Sequence, residues 1–112
     1  MKQVLVIRRD LGMRRGKEIT QGAHASQLAL VEAKRLLNPC DIDYWLEHWG
    51  MRKITVQVES EADLVAVHEA AMTAGLPVAM VVDEGLTEFA GVKTRTALGI
   101  GPAPDIDIDP VT

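Results

Sequence analysis

Two apolar runs separated by a short polar connection most tightly limit what this chain can fold into. The first is Val78 to Val82. Asp83-Glu84-Gly85-Leu86-Thr87-Glu88 follows it. The second runs from about Thr96 to Ile100 and ends in Gly101-Pro102-Ala103-Pro104. An apolar run closed by an acid and a glycine reads as a buried strand entering a turn. So short a connection leaves no room for a crossover, and the second strand is expected to run antiparallel to the first. The connection brings Asp83, Thr87, Thr94 and Thr96 to one end of a sheet. Loops held on a rigid scaffold are where chemistry tends to sit.

The preceding chain alternates strand and helix. Gln3 to Arg8 is a β-branched apolar run, too continuous for a half-exposed strand, and reads as buried on both faces. A loop follows from Arg8 to Lys17, with Gly12, Gly16 and five basic residues. The apolar periodicity predicts a helix from about Ile19 or Thr20 to Leu37, ended by Asn38-Pro39. Its inner face holds Ala23, Leu30, Ala33 and Leu37, extended by Ala25, Leu28 and Ala29. Small residues near its start allow a close approach to the sheet. Asp41 is placed to cap a short helix through Trp45 and Trp49 to Gly50. Lys53 to Val58 alternates as a second strand. Ser60 opens a helix that Gly75 ends. Helical crossovers of this length imply parallel strands. The expected fold is α/β, a four-stranded mixed sheet with helices on both faces. Nothing divides residues 1–112, so a single domain is expected. The tail from Asp105 to Thr112 reads as a solvated segment, and Pro110 discourages helix there.

Composition excludes several function classes. The single Cys40 rules out an internal disulfide and a multi-cysteine zinc site. His48 and His68 have no partners at metal-ligand spacing. No metal and no cofactor are expected. No apolar run approaches the roughly 20 residues of a membrane helix, which reads as a cytoplasmic protein without a membrane partner. The net charge of −4 argues against a nucleic-acid partner, but the charge is uneven. Residues 1–53 carry 10 Lys/Arg and 6 Asp/Glu, whereas residues 54–112 carry 2 and 10. Arg8, Arg9, Arg14, Arg15 and Lys17 form a dense basic cluster beside a helix start, an arrangement suited to RNA phosphates, with Lys93 and Arg95 placed to join it.

Several blocks together resemble one family. Asp10-Leu11-Gly12-Met13, Arg15-Gly16-Lys17 and Gln21-Gly22-Ala23-His24-Ala25 are similar to the first loop and helix of type 2 peptidyl-tRNA hydrolases, the archaeal and eukaryotic type. Ala74-Gly75-Leu76-Pro77, Asp83 to Glu88 and Thr94 to Pro102 resemble that family's later blocks, in the same order. The resemblance implies hydrolysis of the ester between a peptide and the 3′-terminal ribose of tRNA, with peptidyl-tRNA as the partner, no DNA, and a homodimeric state. It implies that Lys17, Asp83, Thr87 and Thr96 occupy the active-site positions, with Gln21, His24 and Thr94 close by.

Ester hydrolysis needs a positioned water, a group to polarise it, and donors where the oxyanion forms. No Gly-x-Ser-x-Gly elbow is present and Cys40 lies outside the matched blocks, so direct attack by water is expected. Asp83 is expected to orient or deprotonate the water, and Lys17 to stabilise developing charge or hold a phosphate. Thr87 and Thr96 are expected to donate hydrogen bonds to the carbonyl or ribose. Glu84, Leu86 and Glu88 depart from the family's pattern. They keep an alternative open, a non-catalytic member that binds RNA or phosphate, or pairs with protein.

Overall fold

The computed structural model describes residues 1–85 and 89–112. It contains one four-stranded sheet in the order β2-β1-β4-β3. The strands are β1 (Lys2–Arg8), β2 (Lys53–Val58), β3 (Val78–Asp83) and β4 (Thr94–Ala103). β1 pairs in parallel with β2, and β4 runs antiparallel between β1 and β3. The mixed α/β sheet and the antiparallel last strand agree with expectation. β4 is longer than predicted at both ends. The expected strand stopped at about Ile100, but it continues through Gly101-Pro102, and Ala103 pairs with Lys2.

Helices cover both faces. α1 (Arg15–Leu36) and α2 (Pro39–Glu47) lie between β1 and β2 in sequence, α3 (Glu61–Thr73) between β2 and β3, and α4 (Asp105–Ile108) after β4. Alternation along β1 divides the core. Val4 and Val6 pack with Leu64, Ala71, Leu98 and Ile100 on the α3 side, whereas Leu5 and Ile7 pack with Ala25, Val81 and Ala97 on the α1 side. Gln3, two residues before Leu5 on the α1 side, has no exposed surface. Its amide donates to the carbonyls of Ser26 (3.0 Å) and Gly101 (3.2 Å) and accepts from Ser26 Oγ at 2.7 Å, so this buried polar group is satisfied and ties α1 to the sheet.

The inner face of α1 is Gln21, Ala25, Ala29 and Ala33, at four-residue spacing. Ala25, Ala29 and Ala33 were expected there, but Ala23 and Leu28 are exposed. The stripe is made of the smallest side chains because the helix presses onto β4 at Gly99. A Cβ on Gly99 would meet Ala25 O at 2.3 Å, Ala25 C at 2.9 Å and Ala29 Cβ at 2.9 Å.

Other segments also differ from those read in the sequence. α1 begins at Arg15, about a turn early, and Arg14 at its N-cap makes no side-chain capping bond. With no Ser, Thr, Asp or Asn at this start, the sequence carries no capping signal, and the Gly16-Lys17 pair imitates a loop. α2 is capped by Asn38, whose side chain accepts from Cys40 N at 2.8 Å with Pro39 in the first turn, so Asn38-Pro39 opens this helix as well as ending the last. The tail is docked on the body, although most of its residues are exposed. Ile108 is fully buried in the α3-side core, and Asp109 pairs with Lys2. Asp105 pairs with Arg52 at 2.8 Å and with the Met1 ammonium at 3.6 Å. Of the two tryptophans, Trp45 is buried as expected, its indole N–H donating to Arg52 O at 3.1 Å, whereas Trp49 lies past the helix end and is half exposed.

None of the described helices is long and apolar enough to cross a membrane.

The contact at Gly99 yields a stability prediction. Gly99→Ala should lower the urea-unfolding free energy by about 1–3 kcal/mol or more, because the neighbouring atoms are helix backbone and cannot swing away. Gly22→Ala, where a Cβ finds nothing nearer than 3.9 Å, should be neutral or gain up to about 1 kcal/mol from helix propensity.

Candidate active site

Three pieces of chain meet where β3 ends. The first turn of α1 supplies Lys17, and the next turn supplies Gln21 on the same face. β3 supplies Asp83, and β4 supplies Thr96. Thr87, expected beside them, lies outside the described residues.

Thr96 faces α1 because of a β-bulge. Along the β3–β4 ladder Val81 pairs with Ala97, but Val82 pairs with Arg95, leaving Thr96 as the extra residue. Without it, simple alternation would turn Thr96 to the α3 side and Arg95 to the α1 side. Instead Arg95 bonds Glu61 at the start of α3 (2.8 Å), while Thr96, with no exposed surface, donates its hydroxyl to Gln21 Oε1 at 2.5 Å.

Lys17 Nζ donates to both oxygens of Asp83, at 2.9 and 2.8 Å. Both side chains are largely withdrawn from solvent, 14% and 8% exposed. The Lys17 ammonium also lies 5.6 Å from the centre of the Phe89 ring, within cation–π range. A cation in the first turn of a helix opposes the helix dipole, at a cost of roughly 0.3–1 kcal/mol, and the carboxylate of Asp83 offsets this. Asp83 is held in turn by the Gly85 N–H, 3.4 Å from each carboxylate oxygen. Gly85 has φ of +81°, and a Cβ there would lie 2.4 Å from Val92 O, so only glycine allows the connection to fold back so closely.

Lys17, Thr20, Gln21, His24, Val81, Val82, Asp83 and Glu84 line a cleft of about 290 Å³. His24, which the resemblance put close to the site, is exposed on the cleft wall. Thr20 and Phe89 went unnoticed in the sequence. Thr20 was legible as the residue three after Lys17 on one helix face, whereas Phe89 carried no signal. Thr94 sits opposite Asp83 in register, but its hydroxyl donates to Val92 O at 2.9 Å. A larger cavity of about 650 Å³ lies on the other flank of α1, among Leu5, Leu30, Trp45 and Met51. It is mostly apolar, and its charged lining side chains, Glu18 and Lys53, do not pair with each other, which leaves the smaller cleft as the candidate site.

The basic residues do not form one patch. Arg9, Arg14 and Arg15 are exposed around the start of α1, with Arg9 paired to Glu18 at 3.1 Å. Arg8 does not join them. It is only 7% exposed, and its guanidinium donates to both carboxylate oxygens of Asp10 (3.1 and 2.7 Å) and to Arg95 O (3.0 Å). As the last residue of a strand buried on both faces, it is a structural clamp for the Asp10 loop. Arg95 lies on the opposite face of the sheet from Lys17, and exposed Lys93 is 3.8 Å from Glu84. No cluster of His, Cys, Asp and Glu among the described residues could hold a metal ion.

A model of one family, described as "Peptidyl-tRNA hydrolase PTH2", matches residues 1–112. The chain belongs to the peptidyl-tRNA hydrolase PTH2 family. Among its relatives, a protein of Methanocaldococcus jannaschii named peptidyl-tRNA hydrolase is 44% identical over 112 residues, spanning 100% of this chain and 95% of that protein. Proteins of the same name from Staphylothermus marinus and Halobacterium salinarum are each 41% identical, over 99% and 100% of this chain and 89% and 95% of their own lengths. The family match agrees with the resemblance read from the sequence blocks.

The Arg8–Asp10 clamp predicts a pH dependence. Hydrogen bonds from Arg8 hold the Asp10 carboxyl below its usual range, and the same bonds raise Arg8. A carboxyl lowered by folding stabilises the protein above its unfolded pKa, about 4, and loses that contribution as pH falls through the folded value. Urea unfolding should therefore show Asp10→Asn less stable than wild type at pH 7, with the gap closing below about pH 4. A gap that persists unchanged at low pH contradicts the clamp.

Proposed function

We propose that this chain is a peptidyl-tRNA hydrolase, cleaving the ester between a peptide, or an N-blocked aminoacyl group, and the 3′-terminal ribose of tRNA. The observation that carries this reading is the Lys17–Asp83 pair, largely withdrawn from solvent in an otherwise open cleft, in a chain whose family model matches from end to end.

The mechanism follows from the chemistry of the groups. Asp83 accepts a hydrogen bond from the attacking water and orients its oxygen toward the ester carbonyl carbon. As the new C–O bond forms, the carbonyl π pair moves onto oxygen, and the Lys17 ammonium stabilises that charge. When the carbonyl reforms, the bond to the ribose oxygen breaks, and the proton lost by the water passes to that oxygen. The products are a peptide carboxylic acid, which gives up its remaining proton to solvent, and a tRNA hydroxyl. No covalent acyl-enzyme is needed. Thr96 and Gln21 form the floor of the site, and Thr87 joins it on sequence grounds alone. His24 and Thr94 are neighbours rather than actors.

Arg9, Arg14 and Arg15 are suited to the phosphates of the tRNA acceptor end, beside the electropositive end of α1. Arg8 is committed internally, and Lys93 and Arg95 face acids of their own chain. A substrate of this class supports a cytoplasmic location. Exposed Ile19, Tyr44, Trp49, Met51 and Ile54 support pairing with a second copy.

Release of the N-acetylated aminoacyl group from tRNA tests the reading. Wild type should cleave it, and Lys17→Ala should lose at least about 10²-fold in kcat/KM. Wild-type protein that binds tRNA without cleaving it would instead identify a non-catalytic RNA-binding member. tRNA affinity should fall steeply between about 50 and 200 mM salt, and a flat response contradicts phosphate contacts.

A further inference from the structure

Thr96 cannot reach a substrate as it stands, since it has no exposed surface and its hydroxyl proton is already given to Gln21 Oε1. That bond fixes the other end of the amide. Gln21 is 3% exposed, lines the cleft with Lys17 and Asp83, and among the described residues nothing accepts from its Nε2. Nε2 is not among the buried unpartnered atoms, so it opens onto the cleft, where a substrate oxygen can accept from it.

We propose that Gln21 Nε2 is an oxyanion donor of the hydrolytic site, and that Thr96 is a positioning residue which acts through Gln21. This rests on the hydrolase reading and deepens it. The donor set for the oxyanion is then the Lys17 ammonium and the Gln21 amide, one helical turn apart on the same face of α1. Water oxygen bonds to the carbonyl carbon, the π pair moves onto the carbonyl oxygen, and Gln21 Nε2–H donates to that oxygen. As the pair returns, the ribose oxygen departs with the proton lost by the water. By donating to Oε1 the Thr96 hydroxyl holds the amide with Nε2 toward the cleft, whereas a flipped amide would turn a carbonyl oxygen toward the developing negative charge. The bulge at Thr96 belongs to this device. It turns Thr96 toward α1, under Gln21, where simple alternation would turn it away.

Gln21→Glu separates the two ends of the amide. A carboxylate still accepts from Thr96 but has no N–H to donate. Gln21→Glu and Gln21→Leu should each lose about 10²–10³-fold in kcat with little change in KM, the usual effect of removing one oxyanion donor. Thr96→Val should lose a smaller factor, Thr96→Ser should recover most of it, and Gln21→Leu/Thr96→Val should be no slower than Gln21→Leu alone. Thermal unfolding of each variant checks that it is folded at the assay temperature. A Gln21→Glu variant near wild-type kcat overturns the donor role, and multiplying factors in the double variant overturn the claim that Thr96 acts through Gln21. Lys17→Ala keeps the two readings apart. If it is inactive while Gln21→Glu is active, the hydrolase stands and this inference falls. Wild-type protein that leaves the ester intact overturns both.

Discussion

The close approach of α1 to β4 at Gly99 is the contact on which the rest of the structure depends. Ala25 and Ala29 sit against a strand position with no side chain, at distances that admit not even a methyl group. An all-small helix stripe gives up apolar area, and what it gains is proximity. The first two turns of α1 lie on the sheet at the end where β3 stops, so Lys17 reaches Asp83 and Gln21 reaches Thr96 without long unsupported side chains. Gln3, bonded to Ser26 and to Gly101, anchors the same helix from the neighbouring strand.

Two local irregularities turn that proximity into a site. The bulge at Thr96 places consecutive residues of β4, Thr96 and Ala97, on the α1 side, one as a hydrogen-bond donor and one as core. Gly85 lets the connection after β3 fold tightly enough to hold Asp83 by its backbone N–H. The electrostatics follow from placement. Lys17 stands in the first turn of a helix, where cations are disfavoured, and is kept there by a carboxylate it contacts at both oxygens. The cleft therefore presents a positive end next to a group able to orient water, the pairing that ester hydrolysis requires.

Much of this was legible in the residues. The apolar run within β1, the short connection before β4 and the helix stop at Gly75 identify a mixed sheet, since each is a local signal with one reading. The start of α1 was not legible, because no side chain caps it and Gly16 imitates a loop. Arg8 looked like part of a phosphate-binding cluster, and nothing local distinguishes it from Arg9; its burial follows from lying at the end of a central strand. The tail misled because its acids suggest solvent, whereas Ile108 inserts into the core and Lys2 and Arg52 neutralise Asp109 and Asp105. Individual site residues carried weak signals, since a lysine near a helix start and an aspartate before a turn are commonplace. The blocks in which they stand pointed to the family, and the fold brings together Lys17 and Asp83, which lie 66 residues apart in sequence. The bulge was invisible, because in a strand buried on both faces a shifted alternation leaves no trace in the apolar pattern.

The central claim is that Lys17 and Asp83 act as one hydrolytic unit. Its most direct test is the single-turnover rate of release of an N-acetylated aminoacyl group from tRNA by wild type, Lys17→Ala, Asp83→Asn and the double variant. Groups that work as a unit are strongly non-additive, so each single change and the double change should reduce the rate by similar factors of about 10² or more. A double variant that keeps the wild-type rate, or one in which the two losses simply multiply, would contradict the account.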